Sequence, residues 1–177
     1  MDYCLEYEHL NDENHLFKEI TPDDLIDLID SFYTGIIYIG GPWCINCQSV
    51  IDLVNNIGKR KGLTEIYNMD TKFINVYGEE EDLRDCKSLE VKLKYYEIVE
   101  KMHFKSDELC DYTLISRMHV PFFLALKNGN CVGYISPKYL RDGALLYVDG
   151  ENEDKTVDFT SDLVDLINKI QDDRQQY

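Results

Sequence analysis

Apolar residues in this chain come as short unbroken runs alternating with helical stripes. Residues 16–20, Leu-Phe-Lys-Glu-Ile, read as a short first strand. Thr21-Pro22-Asp23-Asp24 follows, with a capping hydroxyl, proline at the first helical position and acids in the first turn. Leu25, Ile26, Leu28 and Ile29 then share one face, so a helix is expected to end near Ser31. Residues 36–39, Ile-Ile-Tyr-Ile, are an apolar run bounded by glycines, which is how a strand buried on both faces looks. Gly40, Gly41 and Pro42 break it. A stripe of Val50, Ile51, Val54 and Ile57 marks a second helix, whose end is set by Lys59-Arg60-Lys61 and Gly62. Residues 65–69 read as a strand, and a helical crossover makes it parallel to 36–39.

The second half is patterned differently. Residues 70–117 are highly charged and carry one amphipathic helix over 88–104. Leu89, Leu93, Tyr96 and Val99 are expected on its buried face, with Tyr95, Ile98 and Met102 beside them. Glu79-Glu80-Glu81-Asp82 reads as a solvated loop or a first turn. Two apolar runs in 118–135 flank Asn128-Gly129, the signature of a two-residue hairpin with a type I′ turn. Pro121 cannot donate to a sheet ladder, so it belongs at the entrance of its strand. Residues 149–154 read as an exposed loop, and nothing in 144–148 selects an element. Thr160 or Ser161 is expected to cap a last helix with Leu163, Val164, Leu166, Ile167 and Ile170 on its apolar side. The ends, up to His15 and from Gln171, show no pattern and read as a lead-in (at most one helical turn) and a fraying tail.

Composition limits the possible functions. With 177 residues, 44% of them hydrophobic, the chain suffices for a single domain, 1–177, that holds an insertion. Lys and Arg number 18 against 34 Asp and Glu, a formal net charge of −16, so its field repels phosphate backbones and anionic membrane surfaces. Neither nucleic acid nor a membrane is expected as a partner, and a monomer is the simplest state. No apolar stretch approaches a membrane span, and the acidic start lacks the apolar core of a signal peptide. Cys4 has no hydrophobic leader, so an unmodified thiol is expected there.

Six cysteines stand at 4, 44, 47, 86, 110 and 131, and only Cys44 and Cys47 have motif spacing. A disulfide framework is not needed at this length, so a reducing cytoplasm is the expected location. Cys86, Cys110 and Cys131 read as buried small hydrophobes. No second Cys-x-x-Cys or His-x-x-x-His spacing supports a zinc site drawing on Cys86, His103 or Cys110, and no metal is expected. Cys44 and Cys47 fall where strand passes into helix. There, unpaired backbone N–H groups and the positive end of the helix dipole favour a thiolate and lower the thiol pKa.

The order of these elements, with Trp43-Cys44-Ile45-Asn46-Cys47, Tyr67-Asn68-Met69-Asp70, and Val120-Pro121 leading to Leu126-Lys127-Asn128-Gly129, resembles the thioredoxin superfamily from about residue 16 to 170. The resemblance implies an α/β fold with a central mixed sheet of about five strands flanked by helices. The core would comprise about 16–70 and 118–170, with a helical insertion at about 71–117 ahead of a strand entered through a cis Pro121. That insertion resembles the longer thioredoxin-like proteins of Gram-positive bacteria, some of them accessory to bacteriocin export. Three departures stand out. Tyr38 replaces a buried acid six residues before the first cysteine, Ile66 replaces the lysine of plain thioredoxins, and Ile45-Asn46 replaces Gly-Pro between the cysteines.

The resemblance implies a thiol-disulfide oxidoreductase acting on protein disulfides. Cys44 would be the nucleophile and Cys47 the resolving thiol, while Trp43, Val120 and Pro121 would line the substrate groove. No cofactor is called for. The partners would be protein disulfides and an electron donor or acceptor. The alternative is a binding or accessory module on the same fold, in which the missing acid and lysine signal little or no redox catalysis.

Overall fold

The computed structural model describes residues 1–111, 113–136 and 153–172. A short helix α1 (Tyr3–Glu6) leads into strand β1 (Phe17–Ile20), helix α2 (Pro22–Asp30), strand β2 (Gly35–Ile39), helix α3 (Ile45–Arg60) and strand β3 (Ile66–Met69). A hairpin of β4 (Lys72–Ile74) and β5 (Glu80–Asp82) precedes helix α4 (Leu89–Lys101). Strands β6 (Phe122–Lys127) and β7 (Asn130–Ile135) and helix α5 (Glu153–Gln171) follow. The main sheet has five strands in the order β1-β3-β2-β6-β7. β1, β3 and β2 run parallel, and β6 and β7 run antiparallel to their neighbours. This mixed α/β architecture, helices on both faces, is a thioredoxin-like arrangement.

β2 lies in the middle because all five of its residues are apolar enough to be buried. Its pleat sends Ile36 and Tyr38 to one face of the sheet, where they pack with residues of α1, α3 and α5. Ile37 and Ile39 go to the other face, against α2 and α4. Phe123 and Ala125 of β6 join the first core, and Phe122, Leu124 and Leu126 the second. α2 begins as its sequence dictates: the Thr21 hydroxyl accepts from the Asp24 N–H at 3.1 Å, and the Asp24 carboxylate accepts from the Thr21 N–H at 2.8 Å. Val50, Ile51, Val54 and Ile57 of α3 are all buried. Asn128 and Gly129 turn the β6–β7 hairpin with φ of 50° and 75°, the left-handed pair of a type I′ turn.

The structure departs from the pattern in four places. The lead-in is not patternless in three dimensions: Tyr3, Tyr7 and Leu10 are buried in the first core. Their spacing follows a four-residue helix and an irregular return, so no period exposes them. The acidic stretch at 79–82 is not merely a solvated loop, because Glu80–Asp82 pairs with Lys72–Ile74. Lys72 Nζ meets Glu80 at 2.5 Å and Asn75 Nδ2 donates to Glu81 at 2.8 Å, so polar contacts hold a strand without apolar alternation. α4 buries Tyr95, Ile98 and Val99, and Met102 is buried at its C-terminal cap, while Leu89, Leu93 and Tyr96 are exposed, so the expected face is rotated. Finally, α5 starts at Glu153, so Thr160 and Ser161 lie inside it and cap nothing, and Glu153 and Asp154 belong to the helix and not to a loop. Its expected apolar side holds: Leu163, Leu166, Ile167 and Ile170 are buried, and Val164 packs against them. Residues 144–152 and 173–177 lie outside the described residues.

Candidate active site

β2 ends at Ile39, and the chain turns through Gly40, Gly41, Pro42 and Trp43 into α3. Cys44 is the residue that caps this helix. Its backbone is extended, with φ −94° and ψ 114°, and its sulfur accepts from the Cys47 N–H at 3.4 Å. A cap position normally holds a short side chain with an acceptor oxygen, and here a sulfur fills that role. The Cys44 thiol is lowered to about 7. The main cause is a hydrogen bond from the Cys47 thiol, followed by the backbone N–H groups of Cys47 and Asn46 and the charge of Arg84, all working against partial burial. Cys47, one turn on, is fully buried. Burial, and then the neighbouring Cys44, push its thiol well above the ordinary value. Two thiols in contact are thus held apart in acidity, one poised near neutrality and partly buried, the other protonated and sealed.

The loop entering β6 closes the site from the opposite side. The Val120–Pro121 peptide is cis, and the Cys44 thiol points at the Val120 carbonyl, 3.8 Å away. Cys44, Cys47, Val120 and Pro121 are therefore gathered at one end of β2 and β6. Trp43 borders them at 39% exposure. Its indole Nε1 donates to Asp70 Oδ1 at 2.8 Å, and the Lys72 ammonium and Arg84 guanidinium lie 4.9 and 5.6 Å from its ring centroid. Burial raises the Asp70 carboxyl pKa, opposed by its hydrogen bonds from Lys72 N–H and Trp43. Gly41 has room for no side chain: a Cβ there would stand 2.2 Å from Asp70 Oδ2 and 2.4 Å from Trp43 Nε1.

Sequence reading missed Arg84 and Lys72, since both sit far along the chain in a segment read as an insertion. The β4–β5 hairpin brings them over Trp43. Arg84 grips Asp82 through two hydrogen bonds, Nε to Oδ1 at 2.8 Å and Nη2 to Oδ2 at 2.6 Å, and donates to the Met118 carbonyl at 3.0 Å. The segment between β3 and β6 thereby supplies a fixed positive charge to the Cys44 environment. Tyr7 was missed too. Its hydroxyl lies 3.5 Å from that of Tyr38, the residue standing where the resemblance places an acid.

Cys86 and Cys110 are buried, Cys4 and Cys131 half-buried. His119 Nε2 lies 2.6 Å from Glu108. Among the described residues, no three His, Cys, Asp or Glu side chains converge as metal ligands would. Among the same residues, no helix is long and apolar enough to cross a membrane. No protein-family model matches the chain, and no curated protein matches it.

Proposed function

We propose that the chain is a thiol-disulfide oxidoreductase of the thioredoxin superfamily acting on protein disulfides. The observation that carries this reading is the division of labour between the two sulfurs: Cys44 caps α3 as an accessible thiol of pKa about 7, with Cys47 buried behind it. The Cys44 thiolate attacks one sulfur of a substrate disulfide, and the other sulfur leaves as a thiolate that takes up a proton. Cys47 then attacks the Cys44 sulfur of the mixed disulfide, the Cys44–Cys47 disulfide forms, and the second substrate thiol is released. The substrate is reduced by two electrons and the protein oxidised by two, so no resident cofactor is needed. A second dithiol, supplied by an electron donor, resets the pair. The same steps run backwards for an acceptor. Val120 and Pro121 offer backbone to an extended substrate strand beside the nucleophile, and Trp43 gives it an apolar wall. A reducing compartment such as the cytoplasm suits this activity.

The competing reading, a binding module with an idle dithiol, draws on one observation. The β4–β5 hairpin exposes Ile74 at the end of β4 and Val76 and Tyr77 in its turn, with Val76 at 93%. Trapping separates the two. With Cys47→Ala, the first attack proceeds and the mixed disulfide has no resolving thiol, so lysate proteins accumulate on Cys44 as adducts that a reductant releases. The double variant Cys44→Ser, Cys47→Ala captures none. If Cys47→Ala also captures none while Val76→Ser and Tyr77→Ser abolish non-covalent complexes, the chain is the module and not the enzyme.

A further inference from the structure

Cys47 poses a chemical problem that the first cysteine does not. It is 0% exposed, so water cannot solvate the thiolate that must form when it attacks the mixed disulfide. Something in the protein has to take water's place. Besides Cys44, the side chain acting on Cys47 is Tyr38, whose hydroxyl favours the thiolate form, and the Gly41 N–H adds to it.

The geometry behind this contact is rigid. A Cβ at Gly40 would lie 2.7 Å from Cys47 Sγ and 2.9 Å from the Tyr38 hydroxyl, so both atoms face the same small space left by a glycine. The Tyr38 ring is stacked on Phe123 with centroids 5.2 Å apart and meets Phe17 edge-on at 5.9 Å, which aims its hydroxyl along the end of β2. Tyr7, also 0% exposed, stands behind it with its hydroxyl 3.5 Å away, and either oxygen can be the donor. Tyr7 is itself fixed. Its ring stacks on Tyr3, and the flanking backbone is tied to α3 by Gln48, which donates to the Glu6 and Pro42 carbonyls at 2.8 Å and accepts from the Glu8 N–H at 3.0 Å.

We propose that the Tyr38 hydroxyl, positioned by Tyr7, is the catalytic group that lets the buried Cys47 act as resolving thiolate, in place of any acid. The inference rests on the exchange reading above. While Cys47 is a thiol, its S–H donates to Cys44 and Tyr38 donates to Tyr7. As Cys47 attacks Cys44, the Tyr38 O–H swings to the sulfur and Tyr7 donates to Tyr38. The phenols keep their own protons throughout; the Cys47 proton ends on the departing substrate thiolate. Both phenols are neutral because burial raises them far above neutrality. The groups facing Cys47 are thus Cys44, Tyr38 and the Gly41 N–H, with Asp70 beside Gly41 acting on Tyr7 through its charge.

The test is rapid mixing of the reduced full-length chain with Ellman's disulfide, in a background carrying Cys4→Ser and Cys131→Ser. The attack of Cys44 releases a first coloured thiolate at a rate set by reagent concentration, and the attack of Cys47 releases a second in a unimolecular phase. Tyr38→Phe keeps the ring and its stacking. It is expected to slow the second phase on the order of tenfold and to move its pH midpoint upward, leaving the first phase unchanged. Tyr7→Phe is expected to do the same to about a third of that extent. A second phase of unaltered rate and pH midpoint in Tyr38→Phe overturns the proposal, as does an equal slowing of both phases, which signals mere disruption. If Tyr38→Phe does not fold, an unaltered second phase in Tyr7→Phe overturns it alone. Absence of any first phase in the parent chain instead sinks the exchange reading on which the proposal stands.

Discussion

Cys44→Ser is expected to abolish disulfide exchange, a loss on the order of a thousandfold or more in insulin-disulfide reduction with a dithiol donor, because a serine hydroxyl at neutral pH offers almost no anion to attack sulfur. The fold is expected to survive, since serine is itself a preferred helix cap and can take the Cys47 N–H that the sulfur now accepts. The pairing of lost activity with retained stability is the informative part. Cys47→Ser should behave differently: the first attack stays near its original rate, and the chain stalls as a mixed disulfide. That asymmetry follows from the two environments, a partly buried thiol lowered to about 7 and a sealed one pushed up.

Tyr95→Ala is expected to lower stability by about 3–5 kcal/mol, measured as a shift in the urea midpoint at constant slope. Tyr95 is 1% exposed in the core formed by α2, α4 and the sheet. Its hydroxyl donates to the Ser116 carbonyl at 2.9 Å and accepts from the Met118 N–H at 2.9 Å. Truncation therefore leaves a large cavity and strands two backbone groups. The size of this effect bears on function. The segment between β3 and β6 supplies Leu83, Tyr95, Ile98, Val99, Met102, Phe104 and Cys110 to that core, so it covers one face of the sheet and cannot be excised to test a docking role. Loosening it also withdraws Arg84 from the Cys44 environment. Stability and reactivity are coupled through one stretch of chain.

How much of this was legible in the sequence depended on whether a local rule acted alone. Thr21-Pro22-Asp23-Asp24, the β-branched run of β2 and Asn128-Gly129 each dictate their conformation within a few residues, and each element formed where its pattern lay. The Cys44–Cys47 pair was visible for the same reason. α4 was not, because apolar residues occur on more than one of its faces, and the position of α2 and the sheet decides which is buried. Thr160 and Ser161 misled because a capping residue inside a helix looks the same in sequence as one at its start; Phe159, buried just before them, shows the helix already packed there. β5 carries only Glu80, Glu81 and Asp82, so no apolar alternation betrays a strand held by ion pairs and hydrogen bonds. Arg84, Lys72 and Tyr7 reach the site through tertiary contacts, which no spacing encodes. The odd Tyr38 at an expected acid position was the sole hint that a hydroxyl pair awaited it.

Disulfide exchange by this chain requires a reactive sulfur, ionised near neutrality, at the mouth of α3. The rate of Cys44 alkylation by iodoacetamide, followed by mass spectrometry of the reduced chain from pH 5 to pH 10, tests it most directly. A lowered thiol is a thiolate above its pKa, so the rate is expected to rise through a midpoint of about 7 and level off before pH 9. A midpoint at or above the ~8.5 of a free cysteine would contradict the claim.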